Sequence, residues 1–158
     1  HAGALAETGH LAAALATLVF DAAKGGVAVL IARWLVGEDA AQIAGLAAFL
    51  GHLFPVWLRF RGGKGVATSL GILLALSWPI GLAVLASWLA AVLVSRISSL
   101  SALVAAASGG AWVLLLGPRA ILGLTLVLAA LVILRHHANI ARLRAGTEPR
   151  IGAKKAQS

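Results

Sequence analysis

Long apolar runs alternate with short polar breaks along almost the whole chain. A helix that crosses a bilayer needs about 20 apolar residues, because the hydrocarbon is roughly 30 Å thick and a helix rises ~1.5 Å per residue. On this criterion the pattern predicts six membrane-spanning helices, of which the third and fourth are short. They cover residues 11–36, 40–58, 66–78, 80–94, 100–116 and 120–134.

The break between the third and fourth runs is the sequence SWPIG, in which Pro79 should interrupt the helix and allow a tight hairpin. If Pro79 only kinked one long helix, the number of spans would be five. Helices are the open-chain solution in lipid, because each backbone group then finds its partner within its own segment. We therefore predict an all-α, polytopic membrane bundle that forms a single domain over residues 1–158, with a basic tail at 143–158.

The basic residues are distributed unequally between the two sides of this predicted bundle. With six spans, one side carries Arg33, Arg119, Glu38 and Asp39. The opposite side is cytoplasmic by the positive-inside rule, and both ends of the chain lie there. Fusing the third and fourth spans would place Arg96 and the basic tail on the opposite side from Lys64, which favours six spans over five. The cations of the cytoplasmic side are Arg59, Arg61, Lys64, Arg96, Arg135, Arg142, Arg144, Arg150, Lys154 and Lys155.

Composition supports a membrane protein and excludes several functions. The 158 residues are 61% hydrophobic and 11% charged, and the mean hydropathy is +0.98, far above that of a soluble domain. The formal charge of +8 does not indicate nucleic acid as a partner, because the cations lie between apolar runs or in the tail. The absence of cysteine excludes disulfides and thiolate chemistry, and five acidic residues leave no carboxylate pair or Ser-His-Asp set for a hydrolase.

A glycine-rich cationic stretch, RFRGGKGVATSLG at 59–71, lies between the second and third spans. Gly62, Gly63 and Gly65 allow successive N–H groups to turn towards an anion, and Lys64 adds a full charge. The helix that follows contributes the positive end of its dipole. The stretch therefore predicts a phosphate cradle at the membrane edge. The alternative is a flexible loop whose cations contact lipid headgroups.

A second polar stretch, RHHANIARLRAGTE at 135–148, leaves the last span on the same side. If the helix continues, His136, Asn139 and Leu143 share one face. An imidazole and an amide placed side by side can bond hydroxyl groups or phosphate oxygens. The alternative is a basic helix that rests on anionic lipid, and His137 points away from His136, which makes the pair a poor metal site.

Two further polar features lie inside apolar segments. Asp21 and Lys24 form an i, i+3 pair of opposite charge in the first span, and His52 is an isolated imidazole near the inner end of the second. Ionisable residues inside a membrane are costly and are a functional hypothesis by default. Structural pairing of Asp21 with Lys24, and helix packing for His52, are the alternatives.

The stretches GHLFPVWLRFRGGKGVAT and RHHANIARLRAGTE resemble the second and third signature motifs of the bacterial acyl-phosphate:glycerol-3-phosphate acyltransferases, the PlsY family, and FDAAKG at 20–25 resembles a further family segment. The resemblance implies a seven-helix enzyme of the bacterial inner membrane with a cytoplasmic active site. It implies acyl transfer from acyl phosphate to the 1-hydroxyl of glycerol 3-phosphate in phospholipid synthesis. Membrane lipids surround such an enzyme, and we expect a monomer without cofactor or metal.

The resemblance also assigns roles by position. It implies that Lys64, His136 and Asn139 are catalytic. The expected substrate-binding residues are His52, Gly62, Gly63, Gly65, Thr68 and Glu148. Such enzymes lack an obvious protein base, and the phosphate of the donor takes the hydroxyl proton itself.

One motif of the family is absent. The first motif, a Gly-Ser-Gly-Asn loop with a downstream arginine, has no counterpart here, and HAGALAETG at 1–9 does not supply its serine. We expect an N-terminally truncated member, which accounts for six spans instead of seven. The alternative is a non-catalytic lipid-binding or transport component that has lost the motif.

Overall fold

The computed structural model describes residues 2–54 and 65–152, with the backbone alone for residues 2–10. Within these ranges all regular structure is helical, as the apolar pattern predicts. Each of the six predicted spans coincides with a helix, apart from residues 55–58, which lie outside the described ranges. The helices are α1 (Ala2–Leu35), α2 (Glu38–Leu53), α3 (Val66–Leu76), α4 (Trp78–Ser95), α5 (Ser98–Leu116), α6 (Leu122–Arg135) and α7 (His137–Ala145), with a 3₁₀ turn at Arg119–Ile121.

Three helical segments in the described ranges are long and apolar enough to cross a membrane, namely Leu11–Leu35, Trp78–Ser95 and Ser98–Leu116. A fourth is obtained if Arg119–Arg135 and His137–Ala145, which meet at 60°, count as one bent span. The predicted number of six is not confirmed, because α2 has 16 residues and α3 has 11. At ~1.5 Å per residue, these two helices are about 24 Å and about 17 Å long. The chain is a multi-pass membrane protein with one helix far shorter than the hydrocarbon is thick.

The break between α3 and α4 is the one that the sequence predicts. Ser77 separates the two helices in an extended conformation, with φ −156° and ψ 102°. Pro79 lies in the first turn of α4, where its missing N–H would have no helical partner in any case. The chain therefore forms two helices here instead of one kinked helix.

The chain divides into two compact units, and the first comprises residues 1–76. In this unit α1 packs against both α2 and α3. The backbones of α1 and α3 touch, since a Cβ added to Gly71 would overlap with the carbonyl oxygen of Ala22. A Cβ at Gly26 would lie 3.1 Å from the carbonyl oxygen of Gly71. Small residues permit this close approach, which gains dispersion contacts between membrane helices.

Arg33 fastens one end of the first unit. Its guanidinium donates to the carbonyl oxygens of Ala75, at 2.8 Å, and Leu76, at 3.0 Å. It also forms an ion pair with Glu38 at the start of α2. The last carbonyls of a helix have no partner within the helix, and a cation there is favoured by the helix dipole. One side chain thus joins the ends of all three helices.

The second unit comprises residues 77–158, and α5 packs against both α4 and α6. Glycines again make the close contacts. A Cβ at Gly109 would lie 3.0 Å from Thr125 Cγ2, and one at Gly110 would lie 3.0 Å from Leu126 Cδ2. Between α5 and α4, Trp112 Nε1 donates to Ser87 Oγ at 2.8 Å.

We expect Gly71→Ala to lower the free energy of unfolding by roughly 1–3 kcal/mol, since overpacking forces the α1 and α3 backbones apart. The measurement is reversible unfolding in mixed detergent micelles, followed by circular dichroism. Gly123→Ala in α6 is the control, because no atom lies within 4 Å of its added Cβ and alanine favours a helix over glycine. A Gly71→Ala protein as stable as the parent would contradict the backbone contact.

Candidate functional site

Polar residues of α1 and α2 come together in the first unit. The carboxylate atom Asp21 Oδ1 lies 3.6 Å from Lys24 Nζ and 3.8 Å from His52 Nδ1. The contact with His52 is longer than a hydrogen bond and is therefore electrostatic. From sequence the Asp21–Lys24 pair and His52 are separate features, and the fold joins them into one cluster.

Gly65 leads into α3 next to this cluster. Its φ of +84° lies in the region that favours glycine, and an added Cβ would lie 2.5 Å from Phe49 Cε2 and 3.0 Å from Leu53 Cδ2. Both of these α2 residues are close to His52 in the chain. Gly65 also accepts a 2.8 Å hydrogen bond from Ser69 N, which starts the helix. The start of α3 is thereby fixed against the last turn of α2, and only glycine fits there.

Thr68, one turn into α3, carries a buried hydroxyl that has no hydrogen-bond partner among the described residues. Its side chain is fully buried, and among the described residues Thr68 Oγ1 has no hydrogen-bond partner. On the α1 side, a Cβ at Gly25 would lie 3.1 Å from Thr68 Cγ2. Burying an unpaired hydroxyl costs about 1–3 kcal/mol. Such a group marks a position where a ligand or water completes the hydrogen bonding.

The rest of the predicted glycine cradle, Gly62, Gly63 and Lys64, lies outside the described residues, so the roles expected for these three residues stay predictions. Within the described part of the chain, no group of three or more His, Asp or Glu side chains is placed to hold a metal ion. The first cluster is therefore defined by Asp21, Lys24, His52, Gly65 and Thr68, and the last three of these are among the predicted substrate-binding residues.

In the second unit the helix of the last span does not continue straight through residues 135–148, which was the condition for His136, Asn139 and Leu143 to share one face. The chain bends by 60° between α6 and α7, at His136, which follows α6 and precedes α7. The backbone of His136 has φ −97° and ψ 16°, and its ring atom Nδ1 donates to the carbonyl oxygen of Val132 at 2.7 Å. With the proton on Nδ1, Nε2 of a neutral ring is an acceptor.

His136 and Asn139 are both buried despite the bend. Their exposed fractions are 3% and 6%, and Asn139 is the one buried residue of the short α7, whereas His137 is exposed. The predicted imidazole and amide thus both point away from solvent. Buried polar side chains are kept where they form hydrogen bonds, either with neighbouring residues or with a ligand.

Glu148 returns towards α7 after the helix ends. Gly146, with φ +74°, ends α7, and Thr147 N donates to the carbonyl oxygen of Arg142 at 2.8 Å. Arg142 Nε lies 3.3 Å from Glu148 Oε1, and the Glu148 side chain is only 7% exposed. Its second oxygen, Oε2, has no partner among the described residues. His136, Asn139 and Glu148, here called the second cluster, are a buried imidazole, a buried amide and a largely buried carboxylate of the same unit.

The fold is that of a multi-pass helical membrane protein with buried polar residues near helix ends. The family model for glycerol-3-phosphate acyltransferases matches residues 2–146. This chain belongs to that family.

Relatives and solved structures agree with the family match. A glycerol-3-phosphate acyltransferase of Cereibacter sphaeroides is 65% identical over 150 residues, which cover 95% of this chain and 71% of the relative. One of Dinoroseobacter shibae is 60% identical, covering 94% of this chain and 73% of the relative. The crystal structure of PlsY, an integral membrane glycerol 3-phosphate acyltransferase, in its lysophosphatidic acid form has a TM-score of 0.82 and 38% identity, covering 87% of this chain and 72% of that one. Its glycerol 3-phosphate form has the same TM-score and identity.

We expect Gly65→Ala to lower the melting temperature in detergent more than Gly146→Ala. Both glycines have a positive φ, +84° and +74°, but only at Gly65 does the added Cβ meet other atoms, those of Phe49 and Leu53. Gly146→Ala therefore measures the conformational cost alone, about 1–2 kcal/mol. Equal losses in the two variants would contradict the packing of Gly65 on α2.

Proposed function

We propose that this chain transfers a fatty acyl group from acyl phosphate to the 1-hydroxyl of glycerol 3-phosphate, yielding lysophosphatidic acid and inorganic phosphate. The observation that carries the proposal is the likeness to PlsY, a glycerol 3-phosphate acyltransferase solved in glycerol 3-phosphate and lysophosphatidic acid forms. Catalysis takes place at the cytoplasmic face of a bacterial inner membrane, by a monomer embedded in lipid.

The proposed step needs no protein nucleophile. The 1-hydroxyl oxygen attacks the acyl carbonyl carbon, an ester C–O bond forms, and the bond between the carbonyl carbon and the phosphate oxygen breaks. The departing phosphate accepts the hydroxyl proton. Because an acyl phosphate is already activated, positioning of the two substrates and stabilisation of the anionic charge supply most of the acceleration.

In this proposal the first cluster binds the phosphate of the acyl donor. Support comes from the start of α3, where Gly65 opens the helix and the Thr68 hydroxyl is buried without a partner among the described residues. A helix N-terminus favours an anion. Lys64, with Gly62 and Gly63, supplies the charge and further N–H groups.

The length of α3 supports the same role. At about 17 Å, α3 is roughly half as long as the hydrocarbon is thick. Its last carbonyls are held by Arg33 beside Glu38. In this proposal that end lies at one membrane surface, and the N-terminus of α3 therefore lies below the opposite surface. A phosphate bound there keeps its acyl chain within the lipid.

The second cluster binds glycerol 3-phosphate in this proposal. His136 donates through Nδ1 to Val132 O, so Nε2 of the neutral ring is a hydrogen-bond acceptor, and we assign it to a glycerol hydroxyl. The Asn139 amide bonds hydroxyl or phosphate oxygens. Glu148, held by Arg142, accepts from a second hydroxyl or keeps α7 in place.

We expect Lys64→Ala and Asn139→Ala each to reduce turnover by roughly 100-fold or more, the usual cost of removing one group that stabilises developing charge. The assay measures lysophosphatidic acid formed from labelled glycerol 3-phosphate and acyl phosphate in proteoliposomes. Arg119→Ala, an exposed cation outside both clusters, is the control and keeps parental turnover. Near-parental rates for both cluster variants would refute their assigned roles.

A sharper prediction concerns Thr68→Val. Since Thr68 Oγ1 has no partner among the described residues, removing it costs no protein hydrogen bond, and the melting temperature should hold or rise. If the hydroxyl bonds substrate, KM for acyl phosphate rises several-fold.

The matched control for this variant is Thr125→Val. Thr125 is also buried, but its Oγ1 donates to the carbonyl oxygen of Ile121 at 2.7 Å. We expect Thr125→Val to change stability and to leave KM unchanged. A Thr68→Val enzyme with parental KM would remove Thr68 from the binding site.

A further inference from the structure

An exposed apolar stripe on α4 ends in a cation. Leu82, Leu89 and Leu93 are 49%, 45% and 79% exposed, and their spacing of seven and four residues places them on one helix face. Arg96 continues that spacing and is exposed at the end of the helix. The stripe therefore runs along the lipid-facing surface of α4 and stops at a guanidinium.

The C-terminal segment completes a groove around this arginine. Ile151 N donates to the carbonyl oxygen of Arg96 at 2.6 Å, so the chain after α7 returns to the α4–α5 connection. A groove of about 280 Å³ is lined by Val92, Leu93, Arg96 and Ile151. The groove is apolar at Val92 and Leu93, where the stripe approaches the end of α4, and cationic at Arg96.

The charge in this groove is not neutralised by the described part of the chain. Arg96 takes part in none of the ion pairs found among residues 11–54 and 65–152. Arg150, exposed in the tail, directly precedes Ile151 in the chain, so a second cationic residue is adjacent in sequence to the groove lining. A ligand for this groove is complementary if it carries an anion and an apolar chain in one molecule.

We propose that the groove binds one anionic glycerophospholipid. The phosphate lies at Arg96 and Arg150, and an acyl chain follows Leu93 and Leu89 along α4. A zwitterionic lipid offers the same chain without net charge, and free phosphate offers the charge without the chain. The groove shares no residue with either cluster, and its proposal does not depend on the acyltransferase proposal.

The test is native mass spectrometry of the chain released from nanodiscs that contain equal amounts of palmitoyl-oleoyl phosphatidylglycerol and phosphatidylcholine. The parent is expected to retain one phosphatidylglycerol in preference to phosphatidylcholine. Arg96→Gln should weaken that binding about fivefold, the contribution of one arginine at an anionic membrane surface. Arg119→Gln, an exposed arginine just beyond the opposite end of α5, should leave it unchanged.

Arg96→Gln retains a side chain at the positive φ of 59°, and thermal melts check that the variant folds. Two further variants test the groove without changing this backbone position. Arg150→Gln removes a cation from the exposed tail and should also weaken phosphatidylglycerol retention. Leu93→Asn should weaken it without a change in charge.

Three outcomes would overturn the proposal. Equal retention of the two lipids by the parent would reduce the groove to general lipid contact. Equal effects of Arg96→Gln and Arg119→Gln would show that net charge, and not this groove, selects the lipid. Displacement of phosphatidylglycerol by excess inorganic phosphate would assign the cations to a free anion.

Discussion

The direct backbone contact between α1 and α3 is the constraint on which the first unit depends. Gly26 and Gly71 leave no space for a side chain between the two helices, and membrane helices gain their association energy from such close packing. The same close contact between α1 and α3 places Gly25 against Thr68. Lys24 precedes Gly25 in the chain. Without this backbone contact, Asp21 and Lys24 of α1 would not lie close to the polar start of α3.

Buried polar atoms without partners occur in both units and carry a stability cost. Thr68 Oγ1 and Glu148 Oε2 are such atoms within the described residues, and each costs free energy that packing elsewhere must offset. In an acyl transfer whose donor is already activated, such groups suffice, since the reaction needs aligned substrates and fixed dipoles more than a strong base. The family membership and the absence of a Ser-His-Asp set are compatible on this view.

Much of the fold follows from the sequence, because apolar runs in lipid leave the backbone little choice but helix. The helix positions and the break before Pro79 are confirmed. The predicted number of spans is not confirmed. The sequence of a short apolar helix such as α3, 11 residues long, does not determine whether lipid or protein surrounds its ends. The bend at His136 was missed because it depends on a side-chain bond to Val132 O, which periodicity does not encode.

The sequence selected candidate site residues one by one but did not predict which of them the fold brings together. Motif resemblance selected His52, Thr68 and Asn139. Thr68 and Asn139 are buried, and His52 lies beside the carboxylate of Asp21. The approach of Asp21 to His52 joins residues far apart in the chain, and local pattern carries no information on such pairs. The glycine cradle around Lys64 remains a prediction from sequence.

The apolar layer between the first cluster and Arg33 has a consequence for the cell's energy supply. Val29 and Ile72 are fully buried, and both lie 3.0 Å from the position of a Cβ on Gly45, so the three helices meet there through apolar side chains. Ions crossing through such a layer would have to shed their hydration in a low-dielectric medium. Charged residues can therefore sit deep in this unit while it remains a tight insulator, and the membrane potential does not leak away through it.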